Sequence, residues 1–301
     1  MRKNQTSLTA AGIALARAIE SERPADGRIC YDPYARLFVP GWMYTLFGFF
    51  IRSGYAEWRG PGVTGFLAAR ERYIDDILQD FLESGLHQLV ILGAGYDSRA
   101  YRFDLPGYGV KAYEVDHSAT QQDKLIKIKK IFGDFPPHVT YVPIDFNTQT
   151  LTQRLPESGY DPALKTLFIW QGVTMYLDPE SVDATLAFVR HNSGPGSAVV
   201  FDYIYGEVLG GVQNHGEVNS MHRYRFMSGE DLVFGIPQGG ATDFLKARGF
   251  SEIRDVDADD LSRAYFVGPK SNRKVAGGYG IAIAKVEADA MARPNPIERS
   301  E

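Results

Sequence analysis

The sequence predicts an α/β fold: a mostly parallel β-sheet with helices on both faces, a late antiparallel hairpin strand, an N-terminal helical cap and a lid insertion. Three observations carry this reading. Five short apolar runs, at 87–93, 110–116, 139–145, 166–172 and 197–205, alternate with stretches of helical period. Such alternation builds right-handed βαβ units and hence a parallel sheet. The first run passes directly into a glycine turn, as it does at the ligand-binding switch point of open α/β sheets. Two further strand-like runs, 251–257 and 279–286, follow the last helical stretch, which suits a sheet ending in a hairpin.

In chain order, residues 6–22 read as a helix that Pro24 stops, because proline cannot donate and clashes with the preceding turn. Asp32-Pro33 opens a loop, and the apolar stretch 37–51 follows up to a break at Gly60-Pro61-Gly62. That stretch is too short and too interrupted to span a bilayer, and is read as part of a cap that packs on the core or lines a pocket, with a membrane-surface or substrate-lipid contact as the alternative. Over 64–84, Phe66, Ala69, Tyr73, Ile77 and Phe81 recur at helical spacing, and Gly85 supplies a left-handed stop. Residues 117–131 form a second core helix, and another starts at Asp178-Pro179-Glu180, an acceptor at the cap with proline and an acid in the first turn. Residues 206–227, rich in Gly, Asn and His, read as the lid, and 242–250 as a short helix ended by Gly249. The economical organisation is one domain over 1–301: cap to 63, ligand-binding core 64–205, lid 206–227, the rest of the sheet 228–287, and a disordered tail 288–301.

Composition narrows the class. With 44% hydrophobic and 23% charged residues among 301, the chain is ordinary for a globular protein. A net charge of −5 argues against nucleic acid as a partner, since such proteins display a basic face. Lys124, Lys127, Lys129 and Lys130 read as a solvated helix face. The lone Cys30 excludes an intrachain disulfide and a cysteine metal cluster, and the polar N-terminus lacks a signal-peptide core, so a cytoplasmic setting is expected. The six histidines are scattered, with no ligand pair at useful spacing, so no metal is expected.

The chemistry-bearing features gather at the predicted strand ends. Gly93 and Gly95, flanking Ala94, allow a tight turn and close approach of backbone to ligand. A full dinucleotide fingerprint requires a third glycine where Ser98 stands, so a ligand without a diphosphate is preferred. Glu114 and Asp116, about twenty residues on, end the second strand, where an acid can accept from the vicinal hydroxyls of a ribose. Asp145 ends the third strand, where it can accept from an exocyclic amine such as that of adenine, with Phe146 to cover a ring face.

These residues resemble a known family. Arg70-Glu71-Arg72-Tyr73-Ile74-Asp75, Leu92-Gly93-Ala94-Gly95-Tyr96-Asp97-Ser98-Arg99-Ala100-Tyr101-Arg102 and Tyr113-Glu114-Val115-Asp116 are similar to the leucine carboxyl methyltransferase family, in particular its bacterial S-adenosyl-L-methionine-dependent branch. Tyr31-Asp32-Pro33-Tyr34-Ala35 and Gly172-Val173-Thr174-Met175-Tyr176-Leu177 match the same branch. The resemblance implies a class I methyltransferase fold, Rossmann-like, with S-adenosyl-L-methionine as cofactor. It assigns the cofactor's carboxylate to Arg70, the glycine loop to Gly93, Ala94 and Gly95, the ribose to Asp116 with Glu114 nearby, and adenine to Asp145 and Phe146. The family's glutamate before the fourth-strand glycine is replaced here by Gln171, whose amide oxygen can still accept.

The implied reaction is O-methylation of a carboxylate or hydroxyl on a small, partly apolar acceptor or a peptide carboxylate. A carboxylate is ionised at neutral pH and needs no base. A hydroxyl benefits from one, and His215, His222, Tyr203 and Asp202 are the candidates. Trp42, Phe47 and Phe50 suggest an apolar acceptor. The rival readings are an NAD(P)-dependent oxidoreductase, which shares the glycine turn and ribose acid, and a non-catalytic relative with a decayed cofactor site.

Overall fold

The computed structural model describes residues 8–145, 148–209 and 232–287. Its centre is a seven-stranded sheet in the order β3-β2-β1-β4-β5-β7-β6. The strands are β1 Gln88–Leu92, β2 Lys111–Asp116, β3 Val139–Pro143, β4 Thr166–Trp170, β5 Ala198–Ile204, β6 Phe250–Val256 and β7 Tyr279–Val286. The first five pair in parallel, while β7 runs antiparallel to both β5 and β6. Successive strands run outward from β1 on both sides, so a crevice opens between the carboxyl ends of β1 and β4.

Strands buried on both faces are near-continuous apolar runs, and β1, β4 and β5 are buried at every position. Alternation splits them between two cores. Val90 and Leu92 pack with Trp170 and Phe201 on one face. Leu89 and Ile91 pack with Phe66, Ile74 and Leu78 on the other.

The helices are α1 Leu8–Ser21, α2 Ala35–Phe38, α3 Gly41–Arg52, α4 Tyr55–Arg59, α5 Val63–Glu83, α6 Arg99–Arg102, α7 Ser118–Phe132, α8 Leu151–Glu157, α9 Pro179–His191, α10 Gly206–Leu209, α11 Ala241–Lys246 and α12 Ala258–Tyr265. The long core helix α5 ends just before Gly85, which adopts φ +80°. Asp178 caps α9, accepting from the Ser181 amide at 2.7 Å with Pro179 in the first turn. The cap helices close a third apolar cluster in which Leu15, Phe38 and Met43 meet Tyr96 of the glycine turn and Ile128 of α7. Phe38 stacks on Tyr96 with ring centroids 5.6 Å apart.

The structure corrects or refines the sequence reading in three places, and a fourth lies largely outside the described residues. β6 and β7 pair antiparallel, but α12 stands between them in the chain, so the sheet does not end in a tight hairpin. Lys124 is not solvated: its ammonium lies in the interior, 2.8 Å from the Glu114 carboxylate, because β2 supplies a buried acid below α7. In the apolar stretch, α3 buries Met43 and Gly48 but leaves Trp42, Leu46, Phe49 and Phe50 exposed. Of the expected lid, 206–209 form α10, and 210–227 lie outside the described residues.

Candidate functional site

The site is built where β1, β2, β4 and β5 end. After Leu92 the chain turns through Gly93 at φ +67° and Gly95 at φ +43°, conformations that L side chains rarely adopt. A Cβ at position 93 would run into Val173, and one at 95 would press on Ala10 of α1 at 3.3 Å. The Gly93 and Ala94 amides donate to the Val115 carbonyl at 2.8 and 3.0 Å, and the Gly95 amide donates to Asp116 Oδ2 at 2.5 Å. The turn is thereby clamped to the end of β2. Burial pushes the Asp116 carboxyl up, while the amides of Gly95 and His117 pull it down.

Glu114, two residues earlier, plays another part. Its side chain is fully buried and committed to Lys124 and to the Tyr101 hydroxyl at 2.9 Å. Desolvation raises its pKa, and Lys124 opposes that rise. Of the two strand-end acids, only Asp116 remains partly open at the sheet edge. Asp145 follows β3, half-buried, with its amide donating to Gln149 Oε1 at 3.0 Å. Phe146 lies outside the described residues, as do His215 and His222.

On the other side of the crevice, α5 sends Arg70 across to the end of β5, where its Nη1 is paired with Asp202. Asp202 Oδ1 accepts the Gly172 amide at 2.5 Å, and its carbonyl accepts the Thr174 hydroxyl at 2.6 Å. Gln171, beside Gly172, donates through Nε2 to Glu71 Oε2 at 2.9 Å. Two polar atoms here are buried without a hydrogen-bond partner: Arg70 Nε, a donor, and Gln171 Oε1, an acceptor. Native interiors leave few such atoms unpaired. A donor and an acceptor of this kind, on adjacent elements, fit an α-amino acid group with its carboxylate and ammonium. The residues present therefore suit an amino-acid-bearing nucleoside.

The base candidates on β5 are correspondingly unavailable. Tyr203 is fully buried on the neighbouring face, its hydroxyl donates to Asp255 Oδ1 at 2.6 Å, and burial raises its pKa. Asp202 is held by Arg70 and Gly172.

Behind the glycine turn lies a buried ion network, built from motif residues to which the sequence alone assigns no role. Glu71 and Asp75, one turn apart on α5, face Arg99 and Arg102 of α6. Asp97 pairs with Arg99. Arg17 of α1 reaches Asp32 at 3.0 Å, approaches Glu71 at 3.9 Å and donates to the Tyr96 carbonyl. The guanidiniums of Arg99, Arg17 and Arg102 hold the Glu71 carboxyl well below the usual carboxylate range, against its desolvation. The i,i+4 acids of α5 and the i,i+3 arginines of α6 were the available signal.

Beside this network lies a cavity of about 500 Å³ between α1, α3, α4, the start of α5 and residues 272–274. Ile13, Ile51, Trp58 and Leu67 supply apolar wall, and Arg23, Arg52, Arg273 and Lys274 make its rim basic. Trp42, Phe47 and Phe50, read from the sequence as a sign of an apolar acceptor, are exposed and are not among the residues that line it.

Strand order, glycine turn and strand-end acid are those of the class I methyltransferase fold. The chain belongs to the leucine carboxyl methyltransferase family, whose pattern it matches over residues 10–190. It is 33% identical over 190 residues to a Streptomyces avermitilis protein named "Putative S-adenosyl-L-methionine-dependent methyltransferase", the match covering 63% of this chain and 66% of that one, just under two thirds. A Bacillus subtilis protein of the same description is 29% identical over 204 residues, covering 68% and 67%. Among solved structures, a methyltransferase from Thermobifida fusca, titled putative, superimposes with TM-score 0.56 at 12% identity, covering 95% of this chain and 97% of that one. That likeness concerns the fold. The oxidoreductase alternative finds no favour in these relationships.

Proposed function

We propose that the protein methylates an oxygen of a small, partly apolar acceptor, and that the oxygen belongs to a carboxylate. The observation that carries the reading is the pairing of Asp116, clamped by the Gly95 amide, with two unsatisfied polar atoms across the crevice, Arg70 Nε and Gln171 Oε1. In this reading Asp116 grips the ribose, Asp145 and Phe146 hold adenine, Arg70 takes the cofactor's carboxylate and Gln171 its ammonium. Gly93, Ala94 and Gly95 give close backbone approach. When bound, the cofactor supplies an electrophilic methyl group.

The chain's own task is then to hold an acceptor oxygen in line and keep water out, a positioning effect worth up to about 7–11 kcal/mol in well-oriented cases. The cavity serves as the acceptor chamber in this reading. It adjoins the glycine turn through Arg17, which lines it and donates to the Tyr96 carbonyl. Its acids are engaged: Glu20 with Arg273, and Glu57 with Thr64 and the Gly62 amide. Arg23 and Arg273 share Glu20, and Arg52 is paired with Glu22. The lining still carries five basic side chains, with Arg17 and Lys274, against the two acids Glu20 and Glu57, a net positive charge that would attract an anion. A carboxylate arrives ionised, and the commitment of Tyr203 and Asp202 elsewhere matters little to it.

The test has two arms. Titration with S-adenosylhomocysteine should give binding that Asp116→Asn weakens by about ten- to a hundredfold, the loss of one or two hydrogen bonds to a charged group. Radiolabelled methyl transfer to a panel of aryl and alkyl carboxylic acids and alcohols should yield products that release methanol in base, as esters do and ethers do not. Unchanged affinity in Asp116→Asn overturns the cofactor site, and base-stable products overturn the carboxylate.

A further inference from the structure

The outer face of the cap has a composition unusual for water-facing surface. α3 carries Trp42, Leu46, Phe49 and Phe50 at i, i+4, i+7 and i+8, one stripe of the helix. That stripe points outward: Trp42 is 64% exposed and Phe49 66%. The next helix, α4, extends it with Tyr55 and with Trp58, 71% exposed. The rings are neighbours, with centroid separations of 6.0, 5.6 and 5.7 Å along Phe49, Phe50, Tyr55 and Trp58. Isolated exposed apolar residues need no explanation, but a contiguous aromatic patch marks a contact surface.

The charges around the patch decide what it contacts. Between positions 33 and 59 the basic residues are Arg36, Arg52 and Arg59, and the one acid is Glu57. Glu57 is turned inward, accepting from the Gly62 amide at 2.7 Å and the Thr64 hydroxyl at 2.8 Å. Arg52 is paired with Glu22. Arg36 lies 3.9 Å from the centre of the Tyr44 ring and Arg59 5.6 Å from that of Trp58. Neither has a carboxylate partner among the described residues. The rim is therefore positive on a chain whose net charge is −5.

We propose that α3 and α4 form a peripheral docking face for an anionic lipid surface. Tryptophan and tyrosine suit the boundary between headgroup and acyl chain, and a helix lying in that plane buries its apolar stripe by only about 5–10 Å. No helix is long and apolar enough to cross a bilayer among the described residues, so the contact is with the surface. A second copy of this chain is the poorer occupant. Face-to-face pairing would set Arg36 and Arg59 against a like-charged rim. Docking would also bring the lipid beside Ile51 and Trp58, which line the cavity, and give an amphipathic acid a short path into it.

The experiment is sedimentation of the full chain with large unilamellar vesicles at low ionic strength. Vesicles of phosphatidylglycerol and phosphatidylcholine in equal parts should carry the protein down, and phosphatidylcholine alone should do so at least tenfold less. Trp42→Ser/Phe49→Ser should lower partitioning at least tenfold on the mixed vesicles. Arg36→Gln/Arg59→Gln should abolish the preference for the anionic lipid. Both variants change solvent-facing side chains and should keep wild-type affinity for S-adenosylhomocysteine, which separates this test from that of the cofactor site. Absence of sedimentation, or equal sedimentation of wild type and Trp42→Ser/Phe49→Ser, overturns the proposal. So does a wild-type dimer in light scattering that Trp42→Ser/Phe49→Ser converts to monomer, because the patch then belongs to a second copy.

Discussion

Restoring the family's glutamate at position 171 should destabilise this protein, by an amount that grows with pH. Gln171 Nε2 donates to Glu71 Oε2 at 2.9 Å, inside a network that already holds Asp32, Glu71, Asp75 and Asp97 against Arg17, Arg99 and Arg102. Gln171→Glu removes that donor and adds a fifth carboxyl group. Two carboxylates about 4 Å apart repel by about 4 kcal/mol at an effective dielectric constant near 20. The variant escapes by keeping the introduced carboxyl protonated, when its O–H can donate to Glu71 as the amide did. Holding a carboxyl of ordinary pKa about 4.3 protonated costs about 1.36 kcal/mol per pH unit above that value, or about 3.7 kcal/mol at pH 7.

The two routes cost about the same at neutral pH, so a loss of about 3–4 kcal/mol is expected there. The sign follows from linkage. The folded-state pKa of the introduced carboxyl lies above its unfolded value, so the variant matches wild type below the unfolded pKa and loses stability as pH rises. Urea unfolding of both proteins should show a deficit of about 1 kcal/mol at pH 5, about 2.3 at pH 6 and about 3.7 at pH 7. Gln171→Leu is the control, because it loses the hydrogen bond without adding charge and its deficit should be flat with pH. A flat deficit in Gln171→Glu, or a stabilised variant, would refute the reasoning, since it would mean that the site accommodates the second charge.

Three further substitutions separate roles that the sequence left joined. Gly93→Ala places a Cβ at φ +67° against Val173, so it should cost about 1–3 kcal/mol and lower S-adenosylhomocysteine affinity more than tenfold; calorimetric titration at wild-type affinity would contradict the crevice geometry. Lys124→Met leaves Glu114 buried without its cation and should cost about 3–5 kcal/mol in urea unfolding, whereas a solvated lysine would cost under about 0.5. Tyr203→Phe should lower stability by about 1 kcal/mol through the lost bond to Asp255 and leave methyl transfer rates within about twofold; a hundredfold rate loss would return Tyr203 to the role of base.

The strands were legible because sheet interiors impose a local rule. Residues such as Leu89, Val90, Ile91 and Leu92 are all apolar because both faces of β1 are covered. The turn at Gly93 and Asp116 at the end of β2 were legible for a similar reason, since each follows from the strand before it. What was missed depends on distant partners. Lys124 looks solvated among Lys127, Lys129 and Lys130, and distant groups on other elements take it inside: the Glu114 carboxylate and the Asp97 carbonyl. α12 was missed because its signal is a capping box between Asp257 and Asp260 and only Leu261 is buried. The apolar stretch around α3 was legible in part: Met43 packs on the core and Ile51 lines the cavity as expected, whereas Trp42, Leu46, Phe49 and Phe50 stay exposed. Hydrophobic sequence records what a segment prefers to touch, and burial depends on whether this chain supplies the cover.

The motif residues that make the family recognisable divide by function in a way that bears on how the site is held. Glu71, Asp75, Asp97, Arg99 and Arg102 make up the ion network behind the turn, while Gly95 is bonded to Asp116 at the end of β2 and Arg70 is paired with Asp202 at the end of β5. The network is continuous from cap to site. Arg17 joins Asp32 in the cap to the Tyr96 carbonyl in the turn, and Glu71 carries the connection on to Gln171 at the end of β4. A buried cluster of this kind is weak evidence for net stability, because desolvation offsets much of its Coulomb attraction. Its clearer consequence is positional: the directional bonds of the guanidiniums tie three separate elements to one geometry. The cap is thereby registered against the glycine turn, and any tilt of α1 must either break Arg17 from Tyr96 or move the turn with it.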